Sequence, residues 1–210
     1  MAVLTVGKVA IARVEELRIP NRIAYFTQDE GLIAAHRHWL APHFLDDAGM
    51  FDLVFQSWIF EADSRVVLID PCTGNGKPHP VSFFDQLDVP FIERLAETGY
   101  RPQDIDLVVC THLHHDHCGW NTQLRDGNWV PTFPNARYVM QQAEVDRWGR
   151  DAARHPAFAY NDGVFERSVA PVLAARLADL VQGTSRLSPG MTILPAPGHT
   201  VGHQMLHLCS

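Results

Sequence analysis

Thr111-His112-Leu113-His114-His115-Asp116-His117 places four of the chain's twelve histidines within six residues. The stretch directly follows residues 106–110, which read as a buried strand. Strand ends in α/β sheets collect functional side chains, because the loops there converge without disturbing the core. His112 and His114 are two apart, so on extended backbone both imidazoles point the same way. Two imidazoles on one side can share a divalent cation. Asp116 and His117 come where the chain is expected to bend into a helix, and they would serve a second cation nearby. Imidazole with carboxylate suits zinc; manganese and iron are the other cations such a set accepts. His115 occupies a spacer slot and is expected to be a non-ligand. Cys118 is expected to be a small buried residue rather than a soft ligand.

Upstream of this stretch, residues 53–60 and 65–69 read as a hairpin around Glu61-Ala62-Asp63-Ser64. Val66-Val67-Leu68-Ile69 is an unbroken apolar run, as in a strand covered on both faces. It ends at Asp70-Pro71, and a Gly74-Asn75-Gly76 loop follows. Asp88 and Pro90 mark a helix start and Gly99 its stop, with Phe91, Ile92 and Leu95 as its apolar face. Strand, helix, strand in this order is a βαβ unit, so the sheet is expected to be at least partly mixed or parallel. Further along, 136–140 reads as a strand and 142–148 as a helix. Residues 167–182 carry apolar side chains at three- and four-residue spacing before Gly183 and read as the clearest helix. Strands are expected at 191–194 and 204–208. Between them lies Pro195-Ala196-Pro197-Gly198-His199-Thr200-Val201-Gly202-His203. The first fifty residues carry little legible pattern.

The 210 residues are 46% apolar and 20% charged, with a net charge of -7. That is enough apolar content for a packed core and argues against global disorder. The acidic balance argues against nucleic acid and against anionic membrane surfaces as partners. Four cysteines (Cys72, Cys110, Cys118 and Cys209) without a CxxC pair read as reduced thiols. Gly7, Lys8 and the charges at Arg13, Glu15 and Glu16 break any signal-peptide pattern, and no apolar run is long enough to span a bilayer. A cytoplasmic location is expected.

Thr111 to His117, the later Pro197-Gly198-His199-Thr200 and the strand-end Leu68-Ile69-Asp70 together resemble the metallo-β-lactamase-fold hydrolase superfamily. The resemblance covers residues 50 to 208. It implies an α/β fold, a four-layer αββα sandwich, formed as one domain over 1–210 with 1–50 as an N-terminal extension. It also implies that His112, His114 and His199 bind a first metal and that Asp116 and His117 bind a second. Asp70 would orient a ligand histidine, and His203 would be structural or a support to a ligand, not itself a ligand. Dinuclear members add a bridging aspartate and a final histidine further along; neither is present here, and His207, inside a strand, is a poor substitute. The second half of the fold is therefore expected to be incomplete, and the chain to be a fragment or truncated product that associates with its own copies.

The chemistry implied is that of a hydrolase acting through metal-bound hydroxide, with up to two zinc ions and with Asp116 orienting the nucleophile. The expected substrates are small esters, lactones or phosphoesters, with lactonases and organophosphate hydrolases as the nearest kinds. Trp58, Trp120 and Trp129 are aromatic candidates for substrate contact, though ordinary burial favours a core role. Two alternatives stand beside this reading: a mono-iron oxidoreductase similar to persulfide dioxygenases, and a non-catalytic remnant.

Overall fold

The computed structural model describes residues 3–149 and 156–209. The chain forms two compact units, Leu17–Phe55 and a larger one made of Met1–Glu16 with Gln56–Ser210. In the small unit the end of strand β2 (Val9–Arg22) leads through a 3-10 turn into helix α1 (Glu30–Leu40). Asp29 caps that helix by accepting from the Leu32 amide at 2.9 Å. The start of β3 (Met50–Ala62) returns, and Asp52 pairs with Arg18 at 2.7 Å.

β1 (Val3–Val6) pairs with β2, and β3 forms a hairpin with β4 (Arg65–Ile69). The turn between β3 and β4 is only Asp63-Ser64, at φ 50° and 58°, the left-handed geometry that matches strand twist. Helix α2 (Phe91–Ala96) crosses to β5 (Leu107–Val109), which lies parallel to β4. A short helix α3 (His115–Cys118) then precedes the hairpin β6 (Thr122–Arg125) and β7 (Asn128–Pro131). β8 (Arg137–Gln141) returns parallel to β5, and α4 (Gln142–Gly149) follows it. After α5 (Ala170–Ala174), β9 (Ala178–Val181) joins parallel to β8. Among the described residues the main sheet runs β1-β2-β3-β4-β5-β8-β9. A second sheet holds β10 (Ser185–Ser188), β11 (Met191–Pro195) and β12 (Gln204–Leu208).

Two-residue periodicity divides the core. Leu68, Val108, Tyr138 and Met140 cluster with Phe91 and Leu95 of α2, Trp148 of α4 and Val172 of α5. Their sequence neighbours Val67, Leu107, Val109 and Val139 cluster with Met191 and Ile193 of the second sheet. The unbroken apolar runs arise because both faces of the central strands are covered. These are the helix layer and the paired sheets of an αββα sandwich, the expected fold class. The β3–β4 hairpin and the parallel βαβ unit are also as the sequence implies. Among the described residues no helix is long and apolar enough to cross a membrane.

One expectation is corrected. Residues 167–182 are not one helix. A π-turn (Phe165–Val169) and α5 occupy the first part, and the chain then reverses at Arg176, φ 58°, into β9. Pairing overrides periodicity here. Leu177 accepts from the Tyr138 amide at 2.9 Å, and β9 gives the main sheet its outer parallel strand.

The loop after β4 is clipped to the end of α3. Gly119 and Trp120 donate backbone N–H groups to Cys72 and Pro71 carbonyls, each at 2.6 Å. A Cβ on Gly119 would lie 1.8 Å from the Thr73 carbonyl oxygen. Gly119→Ala therefore forces backbone apart, and we expect it to lower unfolding free energy by about 3 kcal/mol or more. Denaturant titration measures this; a change too small to resolve would show that the two segments do not need this close approach.

Candidate metal centre

Parallel pairing brings the ends of β4 and β5 to the same edge, and Asp70 joins them there. Its amide donates to the Val109 carbonyl at 3.0 Å. Its carboxylate accepts from the Thr111 amide at 2.7 Å, the Thr111 hydroxyl at 2.8 Å and His117 Nδ1 at 2.9 Å. The Thr111 hydroxyl has one proton, and that proton goes to Asp70. It must therefore accept from His112 Nδ1, 3.0 Å away. His112 is left with Nε2 as its free lone pair, directed inward.

His114 turns its Nδ1 to the same point, 3.1 Å from His112 Nε2. His199 arrives on the loop between β11 and β12, with Nε2 also 3.1 Å from His114 Nδ1. Gln204 anchors that loop by donating its Nε2 to the Cys110 carbonyl at 2.7 Å and its amide to Thr111 at 2.9 Å. The donor atoms of His112, His114 and His199 lie within 4.8 Å of one another. Zinc–nitrogen bonds of about 2.0–2.1 Å in tetrahedral array place ligand nitrogens roughly 3.3 Å apart. The set thus fits a divalent cation. His112 and His114 are buried and His199 is exposed, so the cluster opens to solvent on the side of His199. Burial lowers His112 to about 2 and His114 to about 4, each helped by the neighbouring imidazoles. Both are therefore neutral, as ligands must be.

Asp116 and His117 sit beside this triad on α3. His117 Nε2 is 3.4 Å from Asp116 Oδ2, and its ring lies 4.0 Å from that of His112. Burial works against both charges, yet each partner wins for the other. His117 holds Asp116 below the carboxylate range, and Asp116 with Asp70 raises His117 to about 10. His115 points away and packs on Phe84 and His79, with centroids at 4.5 and 4.2 Å. His203 stacks on His112 at 4.9 Å, and His207 is exposed on β12. Cys72, Cys110 and Cys118 are buried free thiols.

A cleft of about 540 Å³ opens beside His114 and His199, walled by Trp148, Phe158, Tyr160 and Val201 with Arg147 at its side. Tyr160 Oη lies 3.3 Å from His114 Nε2, the nitrogen turned away from the triad. Trp148 meets the His114 ring edge-on at 5.3 Å. These wall residues escaped sequence reasoning, which singled out other aromatics. Trp120 is core instead, stacked on Phe91 at 5.1 Å with its Nε1 donating to Glu16 at 2.7 Å. Trp129 covers Lys77, with Nζ 3.6 Å above the ring. The one available signal was the Phe158–Tyr160 pair on the far side of α4.

The charge states are testable in the metal-free chain. A histidine lowered on folding takes up protons more readily unfolded, so His112 and His114 cost stability as pH falls from 6.5 toward 4. A histidine raised on folding contributes below 6.5 and loses that contribution as pH rises toward 10, which is the case for His117. Imidazole proton resonances followed from pH 5 to 8 should show His112 and His114 neutral throughout and His117 charged throughout. Titration of His112 or His114 near the ordinary value would contradict the buried, converging arrangement.

Residues 56–210 match the Metallo-beta-lactamase superfamily. An N-acyl homoserine lactonase of Bacillus cereus is 29% identical over 112 residues, 53% of this chain and 36% of that protein. A second, from Agrobacterium fabrum, is 30% identical over 105 residues, 43% of this chain and 37% of that one. The chain thus matches little more than a third of the length of these curated relatives. Among solved structures, a probable metal-dependent hydrolase from Staphylococcus aureus superposes with a TM-score of 0.74 at 20% identity, covering 99% of this chain and 71% of that one. AidC, a dizinc quorum-quenching lactonase, superposes at 0.68 with 18% identity, covering 100% and 70%. Sandwich, histidine triad and sequence match agree: the chain belongs to the metallo-beta-lactamase superfamily.

Proposed function

We propose that the chain carries the metal centre of a hydrolase that opens lactones or related small esters. The observation that carries this reading is the triad, with two nitrogen–nitrogen separations of 3.1 Å beside an aromatic-walled cleft. The lactonase relatives support the lactone as the ester form. His112, His114 and His199 would hold one zinc ion. Asp116 and His117 would hold a second, with Asp70 fixing His117 from behind. Manganese or iron suit the same donors.

A bound divalent cation supplies Lewis-acid polarisation of the carbonyl and hydroxide near neutral pH. The chain's own residues do the rest. Thr111 fixes the tautomer of His112 so that it offers Nε2 to the centre, and Asp70 holds His117 Nδ1–H so that Nε2 would be the nitrogen freed on loss of its proton. Asp116, held ionised, accepts a hydrogen bond from the attacking water and orients it toward the carbonyl carbon. Trp148, Phe158 and Val201 exclude water from the acyl side of the substrate, which strengthens every charge interaction at the reacting bond. Tyr160 accepts from His114 Nε2 and keeps its own proton for a partner in the cleft.

The test is turnover of an N-acyl homoserine lactone and of simple lactones by the zinc-loaded chain. We expect chelation to abolish turnover and His114→Ala to lower kcat/KM by about 100-fold or more. His115→Ala should have a far smaller effect, because its ring packs on Phe84 and His79. Equal losses from the two changes, or turnover that survives chelation, would refute the reading.

A further inference from the structure

Glu144 lies in the first turn of α4 and is only 1% exposed. A buried carboxylate is costly unless hydrogen-bond donors take the place of water at both oxygens. This one takes three N–H donors. Oε1 accepts from the Gly202 amide at 2.7 Å. Oε2 accepts from the Leu113 amide at 3.1 Å and from Trp148 Nε1 at 3.0 Å. Leu113 stands between His112 and His114. Gly202 stands between His199 and His203. Trp148 walls the cleft. The two histidine loops come from different sheets and are almost ninety residues apart in sequence, yet both hang on one side chain. The contact is close enough to dictate residue type: a Cβ at Gly202 would lie 2.8 Å from Glu144 Cγ.

We propose that Glu144 is a positioning residue for the triad, setting the distance from the His112–His114 loop to the His199 loop. The proposal rests on the reading that the triad binds a divalent cation. Glu144 acts through the two backbone amides, its oxygens being taken up by Gly202, Leu113 and Trp148. Only a carboxylate meets the requirement. An amide of the same shape has one acceptor oxygen, and its NH2 would face an N–H donor on one loop or the other. One loop must then move, and the spacing of the nitrogens moves with it.

The experiment compares the wild-type chain, Glu144→Gln and Ile105→Val, which thins the buried core without altering any hydrogen bond. Zinc affinity is read by competition with a chromogenic chelator, and geometry by the visible absorption of the cobalt-substituted protein. Glu144→Gln should weaken zinc binding by about 10- to 100-fold and shift the cobalt bands. Ile105→Val should lower thermal stability while keeping wild-type affinity and spectrum. An unchanged affinity and spectrum in Glu144→Gln, whatever its stability, would overturn the proposal. Failure of the wild-type chain to bind zinc at all would overturn the metal reading itself and this proposal with it. Should Glu144→Gln not fold, amide exchange in the metal-free wild type decides. The Leu113 and Gly202 amides must both exchange slowly, and rapid exchange at either refutes the clamp.

Discussion

Three imidazole nitrogens directed at one point, two of them on buried histidines, are the constraint around which the large unit is arranged. Imidazole nitrogens 3.1 Å apart attract one another only through a proton or a cation between them. The surrounding structure must therefore impose the convergence. It does so with groups that belong to different strands: Asp70 after β4, Thr111 after β5, and Gln204 at the start of β12. Each forms hydrogen bonds that close only when the strand ends are in register. The parallel pairing of β4 with β5 and the face-to-face packing of the two sheets are thus translated into nitrogen positions.

The pair of Asp116 and His117 is the counterpart of the triad. Here the donors are not left waiting; they satisfy each other as an ion pair, with Asp70 completing the set. A cation entering between them must displace the His117 proton. Metal binding at this pair would therefore release a proton, whereas His112 and His114 are already neutral. The same carboxylate, Asp70, serves both halves, accepting from Thr111 on one side and from His117 on the other.

The site was more legible than the fold. Histidine and aspartate at fixed spacing after an apolar run are local signals; the folded chain gathers His112, His114 and the distant His199 within 4.8 Å of one another and sets Asp116 and His117 beside them. The β3–β4 hairpin and the βαβ unit were legible because β-strand runs covered on both faces and Gly or Pro punctuation are local too. What escaped was long-range. Residues 167–182 have helical spacing, but the end of that stretch finds a better partner in β8. Trp148, Phe158 and Tyr160 reach the cleft only through packing of α4 and the segment beyond it on the sheet. Glu144 and Glu16 look like surface acids in sequence, and only the folded chain brings three N–H donors to each. The beginning of the chain carried little pattern because much of it forms the small Leu17–Phe55 unit, whose apolar residues Tyr25, Phe26, Trp39 and Phe44 are exposed rather than periodic.

A single cation site in this chain would draw on His112, His114 and His199 together. Crystals grown with zinc and measured on either side of the zinc absorption edge test it most directly. The predicted result is an anomalous peak bonded to His112 Nε2, His114 Nδ1 and His199 Nε2 together. A fully ordered triad with no peak at that point, or a zinc ion held elsewhere without these three nitrogens, would contradict it.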